Sequence, residues 1–173
     1  RAGEADIILA THEGQAIRFN EADVRDTGRA TQGVIGIRLR EGDYVVSLAV
    51  VAEKDKENAK LLAVSERGFG KKTELAEDPL QGRGGLGVIT LRVTERVGNL
   101  VSLYPVLGGE ELCVLSEGGV LIRTNEDQVS TYGRSSQGVT IMRLDEGDRV
   151  VSANVILAEE QVSQVLIERE EEA

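Results

Sequence analysis

"GRATQGVIGIRL" occupies residues 28–39, and near-copies of it follow as "GRGGLGVITLRV" at 82–93 and "GRSSQGVTIMRL" at 133–144. Each copy has a Gly-Arg turn, a second glycine, and then apolar residues alternating with others up to an arginine. Alternation with period two marks a half-buried strand. Superposing the copies also superposes what surrounds them. Gly14, Gly68 and Gly119 align, as do Gly28, Gly82 and Gly133, then Arg29, Arg83 and Arg134, then Gly33, Gly87 and Gly138. Every triplet is spaced by 54 and then 51 residues. Several registers kept in step identify three repeats of one supersecondary unit.

The rest of each unit also reads as β. A short apolar run ("IILA", "LLAVS", "LCVLS") meets a Gly-containing turn ("HEG", "ERG", "EGG") and a second run ("AIRF", "VLIRT"), which is hairpin grammar. A polar connection leads to the Gly-Arg turn and its strand. A further turn ("REGD", "DEGD") precedes the last run ("YVVSLAVV", "RVVSANVIL"). The expected fold is all-β: about four antiparallel strands per unit, in units near 6–53, 60–109 and 110–158. Such units pack as propeller-like blades. Closed propellers typically have about four to eight blades, so three are expected to form a partial ring. The Gly-Arg strands should bury one face (Ile35, Ile37, Leu39; Ile89, Leu91, Val93; Thr140, Met142, Leu144). Arg38, Arg92 and Arg143 share the other face and are expected to pair with neighbouring carboxylates.

The 173 residues carry a net charge of −10. Six acids and one arginine in 159–173 make half of it, and that end reads as the start of a solvated acidic tail. The remaining 24 acids and 19 bases leave room for a local basic surface. With three Tyr, two Phe and no Trp, base stacking on aromatic platforms is disfavoured. The single cysteine, Cys113, excludes an internal disulfide framework. No apolar run approaches the roughly 18 residues of a spanning helix, so no membrane partner is expected. The opening "RAGEAD" lacks an initiator Met and reads as part of a longer protein.

Two groups of cations are candidates for phosphate contact. "GFGKKT" at 68–73 follows Arg67 and reads as a glycine loop presenting Lys71 and Lys72, either a phosphate clamp or a solvated turn. Arg29, Arg83 and Arg134 occupy one corner of each unit. They either form an arc suited to a curved polyanion or bond carbonyls of their own turns. "GRGGLG" at 82–87 fits a dinucleotide fingerprint, but a β-branched run follows instead of a helix, so that reading is rejected. The lone His12, expected exposed in a turn, and Cys113, expected as core filler, form no zinc set. No catalytic, metal or cofactor constellation is recognised.

"VRDTGRATQGVIGIRLREGDYVVSLAV", "GFGKKT", "GVITLRVTERVGNLVS", "VLIRT" and "YGRSSQGVTIMRLDEGDRVVS", in that order, resemble the C-terminal domain of bacterial gyrase A. They are similar, less closely, to the matching domain of topoisomerase IV. The resemblance spans residues 6–158. It implies a six-bladed β-pinwheel, with strands exchanged between blades and duplex DNA wrapped sequence-tolerantly around a basic outer rim. This chain would supply the last three blades and the root of the tail. Catalysis would lie elsewhere: the DNA gate in the N-terminal region of gyrase A, ATP hydrolysis in gyrase B, and the whole enzyme at the nucleoid in the bacterial cytoplasm.

The family's box, Gln-[Arg/Lys]-Arg-Gly-Gly-[Arg/Lys]-Gly, is matched by "QGRGGLG" at 81–87, where Gly82 and Leu86 replace two basic positions. This reads as a degenerate copy, with the true box upstream. "GFGKKT" fits the family's "GYGKR" loop. The resemblance thus implies a non-catalytic DNA-wrapping module with phosphate contacts at Arg67, Lys71, Lys72, Arg83, Arg29 and Arg134. Bending DNA smoothly by 40–90° costs about 1–6 kcal/mol, so weak binding is expected of three blades alone. The alternative is a propeller-type protein-interaction module with an acidic working surface. Unpaired edges of a partial ring predict self-association.

Overall fold

A computed structural model describes residues 4–157; the acidic stretch 159–173 lies outside them. The described chain has eleven strands and four single-turn 3-10 segments. The first unit holds β1 (Asp6–Thr11), β2 (Gln15–Asn20) and β3 (Val45–Val51). The second holds β4 (Lys60–Ser65), β5 (Phe69–Glu74), β6 (Val88–Ile89) and β7 (Leu100–Val106). The third holds β8 (Glu111–Ser116), β9 (Leu121–Asn125), β10 (Val139–Thr140) and β11 (Val150–Ile156).

The sheets do not coincide with the repeats. The strand orders are β3-β1-β2-β6, β7-β4-β5-β10 and β11-β8-β9. The strand after each Gly-Arg turn therefore joins the preceding unit's sheet. Val88 lies opposite Ala16 and Ile89 opposite Gln15; Val139 lies opposite Gly70 and Thr140 opposite Phe69. Beyond each pairing, the amides of Thr90 and Leu91 converge on the Gly14 carbonyl, and those of Ile141 and Met142 on the Gly68 carbonyl. The repeated Gly-Arg strand is thus only two residues long. Residues 34–39, its first copy, form no strand, because no described sheet precedes them.

Glycine at 14 and 68 is required twice over. Both have positive φ (81° and 76°), which L-residues rarely adopt. A Cβ there would also sit 2.4 Å from the Leu91 carbonyl oxygen and 2.2 Å from that of Met142.

β4 shows how the core is built. Leu61 and Ala63 pack into an apolar cluster with Ile8, Ala10, Ala49 and Leu100 of and around the first unit. The alternating Leu62 and Val64 pack into a second cluster with Leu112, Val114, Val150 and Met142. Opposite faces of one strand thus serve two inter-unit cores, which is why "LLAVS" is apolar without alternation. The expectation that three residues of each Gly-Arg strand are buried is corrected. Only the middle ones are: Ile37, Leu91 and Met142. Ile35, Leu39 and Ile89 are exposed, because the strip lies on the outer edge and only its centre turns inward between units.

Candidate nucleic-acid interface

The outermost layer is made by the Gly-Arg strips, overlapped in series. The Arg38 amide donates to the Gly85 carbonyl at 2.8 Å, and the Arg92 amide to the Ser136 carbonyl at 3.3 Å. With their backbones held this way, the side chains of Arg38, Arg92 and Arg143 are exposed. None forms an ion pair among the described residues, which corrects the expectation of carboxylate pairing. Arg25, Arg29, Arg40, Arg67 and Arg96 are likewise exposed and outside any described ion pair. The Arg96 guanidinium lies 5.4 Å from the Phe69 ring centroid. Arg67, Arg96 and Arg143 line one open groove with Asp145 and Glu146.

Two of the turn arginines reach past their own turns to the neighbouring unit. Arg83 Nη1 donates to the Ile35 carbonyl at 3.1 Å and its Nε to the Asp23 carbonyl at 2.8 Å. Arg134 repeats the first contact one unit on, Nη1 donating to the Ile89 carbonyl at 2.6 Å, while its amide meets Glu77 Oε2 at 2.8 Å. They are struts between units. Arg29, the same position in the first unit, is exposed with no described side-chain partner.

Lys71 and Lys72 are not on an exposed loop. The glycines of "GFGKKT" shape a turn and a strand edge, and both lysines lie in β5, buried at 0% and 8% exposure. Lys71 Nζ donates to the carbonyls of Gly133, at 3.0 Å, and Arg134. Lys72 Nζ pairs with Glu126 at 2.5 Å. Their ammonium groups are consumed inside the joint between the second and third units, so neither presents a charge to an outside phosphate.

Burial pushes Lys71 down to about 8, against the pull of Asp78 and Glu77. It pushes Asp78 up to about 6, against Arg134, Lys71 and Arg18. Both Asp78 carboxylate oxygens are buried without a hydrogen-bond partner among the described residues. Burial also raises the Glu126 carboxyl, and Lys72 opposes this.

His12 is half-buried rather than free in its turn. It stacks on Tyr44 with ring centroids 4.5 Å apart, and its Nε2 lies 3.2 Å from Glu66 Oε1. Burial pushes the Glu66 carboxyl up, but the Asn99 amide and His12 together hold it below the usual range. Cys113 is half-buried and free.

The sequence profile of the family described as "DNA gyrase C-terminal domain, beta-propeller" matches residues 5–52, 59–106 and 110–156. This chain belongs to that family. The gyrase C-terminal domain fold explains the repeats as blades, with the Gly-Arg strips on the outer edges. The chain is 54% identical over 158 residues to the DNA gyrase A protein of Deinococcus deserti, an alignment covering 90% of this chain and 19% of that protein. It is 44% identical over 148 residues to the DNA gyrase A protein of Staphylococcus epidermidis, covering 86% and 16%. It therefore spans less than a fifth of these relatives. Among solved structures it resembles a DNA gyrase A C-terminal domain (33% identity, TM-score 0.81, 90% of this chain and 52% of that one). It also resembles the C-terminal domain of DNA topoisomerase IV (25% identity, TM-score 0.85, 96% and 52%).

Proposed function

We propose that this chain is the non-catalytic DNA-binding and DNA-wrapping module of a gyrase A protein. Duplex DNA follows the outer edge, held through its phosphates and read without regard to sequence. The observation that carries the proposal is the series Arg38, Arg92 and Arg143: one register, three blades, exposed side chains and no ion pair. Arg29, Arg67 and Arg96 extend the same surface. Arg83 and Arg134 hold the blades that present it, and Lys71 and Lys72 act inside the joint. The parent would be an ATP-dependent type II topoisomerase of the bacterial cytoplasm. Its DNA gate would lie in the rest of gyrase A, and its ATP site in gyrase B.

The test is fluorescence anisotropy of a duplex of about 40 base pairs at low and moderate salt. The intact chain is compared with Arg38→Glu/Arg92→Glu/Arg143→Glu. Salt-sensitive binding that the triple variant loses is the expected result. Binding by the triple variant equal to that of the intact chain overturns the assignment of the rim. No binding by either chain at low salt favours a protein partner for the acidic surface.

A further inference from the structure

The strand exchange leaves one acceptor and one donor unused among the described residues. β2 and β5 each receive a strip from the following unit. β9, the third member of that series, ends its sheet. Residues 34–39, the first strip, join no sheet. The formed joints and the open one differ as a missing partner requires. A Cβ at Gly14 or Gly68 would collide with the incoming backbone, whereas at Gly119 it meets nothing within 4 Å. A Cβ at Gly87 would lie 2.3 Å from the Ala16 carbonyl oxygen and at Gly138 2.5 Å from that of Gly70, while at Gly33 it meets nothing within 4 Å.

Apolar burial shows the same contrast. Val120 is 48% exposed where its counterpart Phe69 is 9% exposed, and Leu48 is 62% exposed where Leu103 is 1% exposed. An apolar edge strand with open N–H and C=O groups is a template for another chain.

We propose that the edge of β9 receives the 34–39 strip of a second copy, and that two copies close a ring through two such joints. The internal joints fix the register. Val34 of the second copy lies opposite Leu121, and Ile35 opposite Val120. The Gly36 and Ile37 amides of that copy meet the Gly119 carbonyl, and its Arg29 donates to the Thr140 carbonyl. This head-to-tail contact uses different surfaces on each side, and such a contact yields a ring when its rotation closes and a filament when it does not. Closure at two copies follows from size. The chain covers 52% of each of two solved domains on which it superposes, so two copies carry as much of the repeat array as one of them.

The experiment is light scattering of the intact chain across a concentration series, without DNA. A species of twice 18.6 kDa is expected at high concentration. Ile35→Lys and Leu121→Lys, both at exposed positions, are expected to return the mass to that of one chain with unchanged circular dichroism. A variant carrying Cys113→Ser, Ile35→Cys and Val120→Cys should form covalent dimers on oxidation. A single-chain mass at the highest soluble concentration overturns the proposal. So do dimers that survive Ile35→Lys with no disulfide trapped at 35 and 120, and an unlimited series of masses would overturn ring closure. None of these readouts involves DNA, so they stand or fall separately from the wrapping role.

Discussion

Lys71 of β5 reaches across the joint between the second and third blades and donates to the carbonyl of Gly133 at 3.0 Å. The counterparts of Lys71 in the other two blades are Ile17 and Ile122, and those of the buried Asp78 are Val24 and Val129. One blade has therefore exchanged an apolar pair for a charged one at the same two registers. Lys71→Ile should fold, since isoleucine already fills this position twice. It leaves the Gly133 and Arg134 carbonyls without their donor and should cost about 1–3 kcal/mol. Adding Asp78→Val removes the carboxylate that has lost its counter-charge. The two changes should be non-additive by about 0.5–3 kcal/mol, measured by urea unfolding. Simple additivity would show that the two groups do not sense each other.

The pH dependence follows from the same pair. Lys71 titrates near 10.5 when unfolded and near 8 in the fold. Between those values the unfolded chain binds more protons, so stability rises with pH. Asp78 moves from 3.8 to about 6. In that window the folded chain binds more protons, so stability falls as pH rises. Both groups are ionised between these two windows, where desolvation weighs most on the joint. Melting curves across pH should show the alkaline rise diminished in Lys71→Ile, and the acidic fall diminished in Asp78→Val.

Rim and strut arginines should separate by assay. Arg92→Glu should weaken DNA binding and lower the salt slope by about one, with no change in thermal midpoint. Arg83→Ala should instead lose the bonds to Asp23 and Ile35 and destabilise the fold by about 1–2 kcal/mol. A variant of Arg83 with weakened DNA binding and wild-type stability would return that residue to the set of phosphate contacts.

The two kinds of glycine should separate as well. Gly119 has φ 84° and open space around it, whereas Gly68 has φ 76° and the Met142 carbonyl overhead. Gly119→Ala should cost only the left-handed backbone penalty, about 1–2 kcal/mol. Gly68→Ala should cost more, because β10 must also move off the sheet. Hydrogen exchange at Ile141 and Met142 reports that movement directly.

Much of the fold was legible because the repeats carry their own alignment: glycines 54 and 51 residues apart mark the turns of every blade. The destination of the Gly-Arg strip was not legible from its residues, since alternation states that a strand is half-buried but not whose sheet it joins. Lys71 was misleading for a related reason. Beside two glycines its charge reads as exposed, although its alignment with Ile17 and Ile122 was the available signal of an interior position. Arg38, Arg92 and Arg143 were visible as a series, but their freedom from carboxylates depends on what surrounds the outer edge in space.

The exchanged strips also set an order on synthesis. β1, β2 and β3 have all emerged by Val51, yet their sheet is completed by Val88 and Ile89. The second sheet has its own strands by Val106 and waits for Val139 and Thr140. Each blade leaving the ribosome is held incomplete until the next has been partly translated. Translation pauses within a blade therefore prolong the life of an exposed edge, whereas pauses after residues 89 or 140 leave a finished sheet behind them.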